Sequence, residues 1–287
     1  MMTRALNNFR RWLCLGLVLS ALPTLAQAGA TLTVADGKPL LLRGAATFSV
    51  VAGARLDAGD MLETGAGGQA QLEFADGLIL NLGPDSKLYL LPQVSGKPMD
   101  VALAAGWLKA AIPAGRKGEA RNLRYLLPGF EIETSDATVV LHAAMGLSEV
   151  FAENGSIKVS EVARDGTPGK TLTAKGSDYA SRQEEQAATV ARPPTTFLAG
   201  MPRNYRDNLP PLVAKAKIPP PEPVRDHDTS YAEAKAWLNA DAPVRNGLVA
   251  RYQARSRDTE FRSGLAAEMN LHPEWERVLG AKGAKNK

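Results

Sequence analysis

Three aspartates stand close to glycines within one stretch, GDMLETGAGGQAQLEFADGLILNLGPDSKLYL, at Asp60, Asp76 and Asp85. Gathered carboxylates could hold a hard cation or serve as acid and base. The spacing favours neither. Asp57-Ala58-Gly59-Asp60 lacks the alternating oxygen donors of a calcium loop, and no cleft is evident around the pairs Asp57/Asp60 and Glu184/Glu185. Gly65-Ala66-Gly67-Gly68 lacks the Lys-Ser or Lys-Thr that completes a phosphate loop and reads as a turn. His142, His227 and His272 occupy three separate settings without a His-x-x-x-His pair, and Gly-x-Ser-x-Gly is absent. His142 reads as a strand-end residue, His227 as part of a solvated charge cluster, and His272 as belonging to a helix start. The chain is therefore expected to be no enzyme, with no catalytic residues, no metal ligands and no cofactor.

What remains is surface chemistry. Arg116, Lys117, Arg121 and Arg124 concentrate positive charge around a loop, with Tyr125 adjacent. Such a cluster reads first as a solvated loop and second as a surface for an anionic glycan or membrane headgroup. Nucleic acid is not expected. The formal net charge of +4 owes three units to Arg4, Arg10 and Arg11, which lie in an N-terminal segment without acids.

That segment, residues 1–28, reads as a secretory signal. The arginines precede an apolar run over residues 13–25, and Ala26-Gln27-Ala28 is a small-x-small cleavage site. Cleavage after Ala28 would start the mature chain at Gly29 and leave no integral membrane span. It would also remove Cys14, the single cysteine, and with it disulfides and thiolate sites.

The elements that would position any site fall into three blocks. Residues 29–190 have the texture of short strands separated by Gly, Asp, Asn and Pro turns. Ala70, Leu72 and Phe74 alternate with Gln69, Gln71 and Glu73, and Leu78, Leu80 and Leu82 resume the alternation after Asp76-Gly77. That pair predicts a two-residue hairpin whose turn residues both tolerate positive φ, and Gly83-Pro84-Asp85-Ser86 predicts the next turn of a three-strand meander. A β-sandwich, barrel or short solenoid follows. Residues 191–228 hold nine of the 19 prolines and read as a Pro-rich linker. Its apolar first part, around Phe197, Met201, Tyr205 and Leu209, is expected to lie on the β-domain; residues 219–228 are expected to form a solvent-exposed hinge. Residues 229–287 read as a helical module. Ser230 and Glu233 form a capping box, Val244, Leu248 and Tyr252 make one stripe, and Phe261, Leu265 and Met269 another.

The opening stretch resembles the FecR family. The resemblance rests on Gly59-Asp60 with Thr64-Gly65, on Phe74-Ala75-Asp76-Gly77, and on Pro84-Asp85-Ser86. Looser matches continue through Phe130-Glu131-Ile132-Glu133-Thr134 and Asn154-Gly155-Ser156-Ile157-Lys158-Val159. Where many members carry Gly-Thr, this chain reads His142-Ala143-Ala144-Met145-Gly146, so no function of that loop is carried over. The resemblance implies a mainly β fold, an antiparallel sandwich or short solenoid in the periplasm, here with a small C-terminal α-helical module. The motif residues are expected to be structural.

In regulatory members the domain follows a cytoplasmic anti-sigma segment and one span; here the export signal leads directly into the β-domain, so cytoplasmic sigma-factor regulation is not expected to transfer. The expected role is binding or scaffolding in the periplasm, with envelope proteins or cell-wall glycan as partners. A signalling accessory that senses a transporter or envelope state is the alternative, and an envelope hydrolase ranks last.

Overall fold

The computed structural model describes residues 29–112, 122–183, 186–190, 192–212 and 219–280. Residues 1–28, which read as a secretory signal, and Arg116, Lys117, Arg121, Glu184 and Glu185 lie outside them. The first half comprises β1 (Ala30–Asp36), β2 (Leu40–Arg43), β3 (Ala46–Ser49), β4 (Arg55–Leu56), β5 (Met61–Glu63), β6 (Gln69–Phe74), β7 (Ile79–Leu82) and β8 (Lys87–Leu90). The long β9 (Met99–Ala111) leads to β10 (Leu123–Leu127), β11 (Phe130–Thr134), β12 (Val139–Ala144), β13 (Leu147–Ala152), β14 (Ser156–Val162), β15 (Pro168–Lys175), β16 (Tyr179–Gln183) and β17 (Gln186–Val190). The fold is thus mainly antiparallel β, as the strand texture implied.

Two ladders share β9. One runs β1-β6-β7-β9-β12-β13-β16-β17 and the other β3-β2-β5-β8-β9-β10-β11-β14-β15. Every pairing is antiparallel except β9 with β10. The N-terminal part of β9 pairs with β8 and β10, and its C-terminal part with β7 and β12. The strand changes ladder at Gly106, where φ is +82° and a Cβ would stand 2.4 Å from Ser86 Cα. Only glycine fits that crossing.

The turns depart from two expectations. Between β6 and β7 only Gly77 has positive φ; its N–H reaches Phe74 O at 2.9 Å, and Phe74 N–H reaches Leu78 O. The loop is therefore three residues long, a β-turn closed by a glycine bulge, and Asp76 contributes its carboxylate to Leu78 N–H at 3.2 Å. Nor is there a three-strand meander. Gly83-Pro84-Asp85-Ser86 is a corner that carries the chain from one ladder to the other, so β8 pairs with β5 and β9.

Burial follows the two-residue period on both faces. Leu41, Leu62, Leu88, Val101, Tyr125 and Leu141 point into the core between the ladders, and their neighbours point outward. Many of the outward neighbours are apolar too, among them Leu42, Tyr89, Ala102, Leu126 and Val140, and these are covered on each outer face. Over the first ladder, Val140 and Tyr179 receive Phe197, Met201 and Tyr205 from α1 (Thr195–Gly200) and the turn after it. Lys109, buried on β9, ties this segment down by donating to Tyr205 O at 2.6 Å, Asp207 O at 3.0 Å and Glu153. Over the second ladder, Leu42, Met61, Tyr89, Ala102 and Leu126 receive the helices.

The chain reaches that side through β18 (Val224–Asp228), which pairs with β3 at the ladder's edge. Residues 224–228 are exposed, as expected, but form an edge strand rather than a hinge; the nearest proline, Pro223, precedes the strand and costs the ladder no donor. The helices are α2 (Tyr231–Leu238), α3 (Ala242–Arg245), α4 (Leu248–Tyr252), α5 (Thr259–Ala267) and α6 (Glu276–Leu279). Ser230 and Glu233 form the capping box on α2, and Asp258 caps α5 through Phe261 N–H. The stripe of Val244, Leu248 and Tyr252 is split between α3 and α4. Trp237, Trp275, Phe261 and Tyr252 build the helical core against the strands.

Candidate functional site

The sheet is incomplete at one place. On one side β9 is paired with β10 as far as Ala102 and with β12 only from Gly106, which leaves residues 103–105 without a strand neighbour. The β10–β11 turn and the β12–β13 turn diverge there, and α2 crosses above. A groove of about 590 Å³ results. Its floor carries Ala102, Leu103, Ala104 and Ala105, its walls Leu126, Pro128, Phe130 and Ala144, and its roof Ala232, Ala236, Trp237 and Ala240. Ala232, Ala236 and Ala240 recur every four residues along α2 and its end, the spacing that aligns one helix face. Alanine there, facing alanine on β9, leaves the space open.

Polar groups sit at the groove's ends. Lys235 is ion-paired with Glu268. Arg164 donates to Asn239 O at 2.8 Å and Leu271 O at 3.0 Å, and among the described residues no carboxylate lies within ion-pair distance of it. Asp241 accepts Gly129 N–H at 2.7 Å; burial pushes its carboxyl above the usual range, against the pull of that N–H and of Arg164, Arg182 and Arg245. At the rim stands Met145, fully exposed at the tip of the β12–β13 turn.

The motif residues lie elsewhere, and the structure spends them on the fold. Asp60 is buried and accepts two hydrogen bonds from Arg43, at 2.9 and 2.6 Å, and one from Asp57 N–H. Thr64 Oγ1 donates to Gly83 O at 2.7 Å and accepts from Ser86 N–H at 2.9 Å. Ser86 Oγ accepts Trp107 N–H at 2.8 Å beside the Gly106 crossing. Phe74 is in the core, Gly59 and Gly77 have positive φ, and Pro84 belongs to the corner. Arg124 is placed on β10, ion-paired with Asp100 and Glu131. Among the described residues no three His, Cys, Asp or Glu side chains gather as a metal site.

One polar array was not legible in advance. His142 stacks on Trp107, with ring centroids 4.0 Å apart and planes 16° from parallel, and its Nδ1 lies 2.7 Å from Glu149 Oε2. Tyr179 donates to the other oxygen of Glu149. Burial first, and then Glu149, push the Tyr179 phenol above its usual range. Ser181, opposite Glu149 in the ladder, adds its hydroxyl to Tyr179, and the array orders the outer face of β12, β13 and β16. Trp107, His142, Glu149 and Tyr179 are spread from position 107 to position 179 on four strands, and only the pairing of those strands brings them together. The groove was equally hidden, because alanines carry no motif.

The family model for FecR protein matches residues 60–163, from β5 to just beyond β14. The protein carries a FecR domain. The matched stretch includes the corner, the β9 crossing and the strands that form the groove's floor and walls; α2, its roof, lies outside it. Two crystal structures of a candidate anti-sigma factor from Parabacteroides distasonis are similar over 45% of this chain and 57% of theirs, with 11% identity and a TM-score of 0.37. The alignment therefore spans little more than half of that protein. None of the curated proteins compared with this chain matches it.

Proposed function

We propose that this FecR-domain protein is an exported, non-enzymatic binding protein of the periplasm that engages its partner through the groove between β9 and α2. The observation that carries this reading is the groove itself. It is apolar, of ligand-binding size, and formed where the sheet lacks a strand, and a fully exposed methionine stands at its rim. The motif side chains support a scaffold role, since Asp60, Asp76, Thr64 and Ser86 are all engaged in holding turns and corners. Export is supported by the sequence of residues 1–28, and among the described residues no helix is long and apolar enough to cross a membrane.

A second reading, a signalling accessory of the envelope, is favoured by the FecR match, because the resemblance implies relay from an outer-membrane transporter in regulatory members. The two readings share the requirement of a partner at the surface. A photo-crosslinking residue in place of Met145, compared in intact cells with one in place of the exposed Val94 outside the groove, tests that requirement. An envelope component attached at position 145 and not at 94 is the expected result. No adduct above background at 145 would remove the groove as the site of binding.

A further inference from the structure

We infer that the occupant of the groove is a long-chain fatty acid, its acyl chain lying along the alanine floor and its carboxylate at Arg164; this rests on the reading of the groove as the binding site. The cavity of about 590 Å³ is within the usual range for small-ligand sites. The choice between a peptide and an acyl chain follows from the backbone. The unpaired edge of β9 covers only residues 103–105, roughly 10 Å of strand at about 3.3 Å per residue. That is too short to template an added strand, so an entering peptide would bury amides without partners. An acyl chain has none to satisfy, and Leu103, Leu126, Phe130, Trp237 and the alanines give it apolar contacts throughout.

The charges at the mouth select the head group. Lys235 already has Glu268, and Asp241 already accepts Gly129 N–H. Arg164 is the exposed cation of the lining that, among the described residues, has no carboxylate within ion-pair distance; its charge reaches Asp241 only at longer range. A guanidinium donates naturally to a carboxylate. Met145 supplies an unbranched, polarizable side chain free to lie over the bound chain.

The test is displacement of a fluorescent polyene fatty acid from the purified full chain. Palmitate is expected to displace the probe, with methyl palmitate about tenfold weaker for loss of the charge-assisted hydrogen bond. Each methylene removed from the acid should weaken it about threefold to fourfold. Ala236→Phe, which fills the groove, should abolish binding. Arg164→Gln should weaken palmitate about tenfold and leave the ester unchanged, a difference that misfolding would not produce. Failure of palmitate to displace the probe, or equal displacement by acid and ester, overturns the inference. A protein adduct at position 145 without palmitate binding would overturn the fatty acid and leave the binding reading standing; absence of both would remove both.

Discussion

The guanidinium of Arg251, on α4, donates to the carbonyl of Gly59, the residue that opens the FecR motif. It also donates to Leu42 O at 2.7 Å, and it lies against the rings of Tyr89 and Tyr252, 5.9 and 5.3 Å from their centroids. No carboxylate meets it among the described residues. A cation from the helical unit is thus held by main-chain oxygens and the Tyr89 ring of the strands, with Tyr252 of its own helix beside it. The helices are fastened at the strand entry where the motif begins.

Replacing Arg251 by methionine keeps much of the stem but leaves both carbonyls without their charged donor. Hydrogen bonds to charged groups contribute roughly 1.5–3 kcal/mol each, and part of this is recovered where water reaches the site. We expect Arg251→Met to lower stability by about 2 kcal/mol in urea titrations. Fluorescence of Trp237, packed edge-on to Tyr89, should report the change. An unchanged midpoint would mean that apolar packing alone holds the helices.

Glycines of the same region separate sharply by geometry. A Cβ at Gly106 would stand 2.4 Å from Ser86 Cα, and φ is +82°, so Gly106→Ala is expected to cost more than about 4 kcal/mol or to abolish folding. At Gly65, also a motif residue, a Cβ meets nothing within 4 Å and φ is outside the left-handed region. Gly65→Ala should stay within about 0.5 kcal/mol of the parent. Thermal melts of the two variants decide this, and equal losses would contradict the corner geometry.

Lys109 provides a different kind of test. Its ammonium is buried and donates to Tyr205 O, Asp207 O and Glu153, which joins residues 203–207 to β9. Lys109→Met leaves two carbonyls and a partly exposed acid without their charged donor, at a cost of about 2 kcal/mol. Protease cleavage near Arg203 and Arg206 should accelerate markedly. In Glu153→Gln the two carbonyl contacts survive, and cleavage should change little. Similar cleavage in both variants would show that the ion pair, not the carbonyl clamp, secures the segment.

Much of this architecture was legible because it is local. The β11 bounds follow from the alternation of Phe130–Thr134, and the α2 cap follows from Ser230 and Glu233. The apolar runs 40–42, 88–90 and 139–141 also carried a signal. Strands wet on one face alternate, whereas these do not, and Leu42, Tyr89 and Val140 turned out to face covering elements. What could not be read was pairing at a distance. Nothing near Ser86 says that it braces residue 106, and nothing in Ala104 or Ala236 says that a helix will leave space above a strand gap. Val224 to Asp228 reads as part of a hinge because the preceding prolines dominate, while its partner strand lies more than 170 residues earlier.

Glu268 gives a prediction in pH. Lys235 and Asn239, and then Tyr231, donate to its carboxylate and hold the carboxyl down to about 2, against a modest opposing effect of burial. A carboxyl depressed in the folded state stabilises fully above its unfolded value, near 4.5, and progressively less as pH falls toward 2. The parent should therefore be more stable than Glu268→Gln at pH 7, and the two stability curves should converge as pH falls from about 5 to 2. Added salt should narrow the gap at pH 7, because Lys235 is half exposed. Urea midpoints taken across this range measure it directly. Parallel curves would mean that the carboxylate's charge is immaterial and that Glu268 acts only as a neutral acceptor joining α2 to the end of α5.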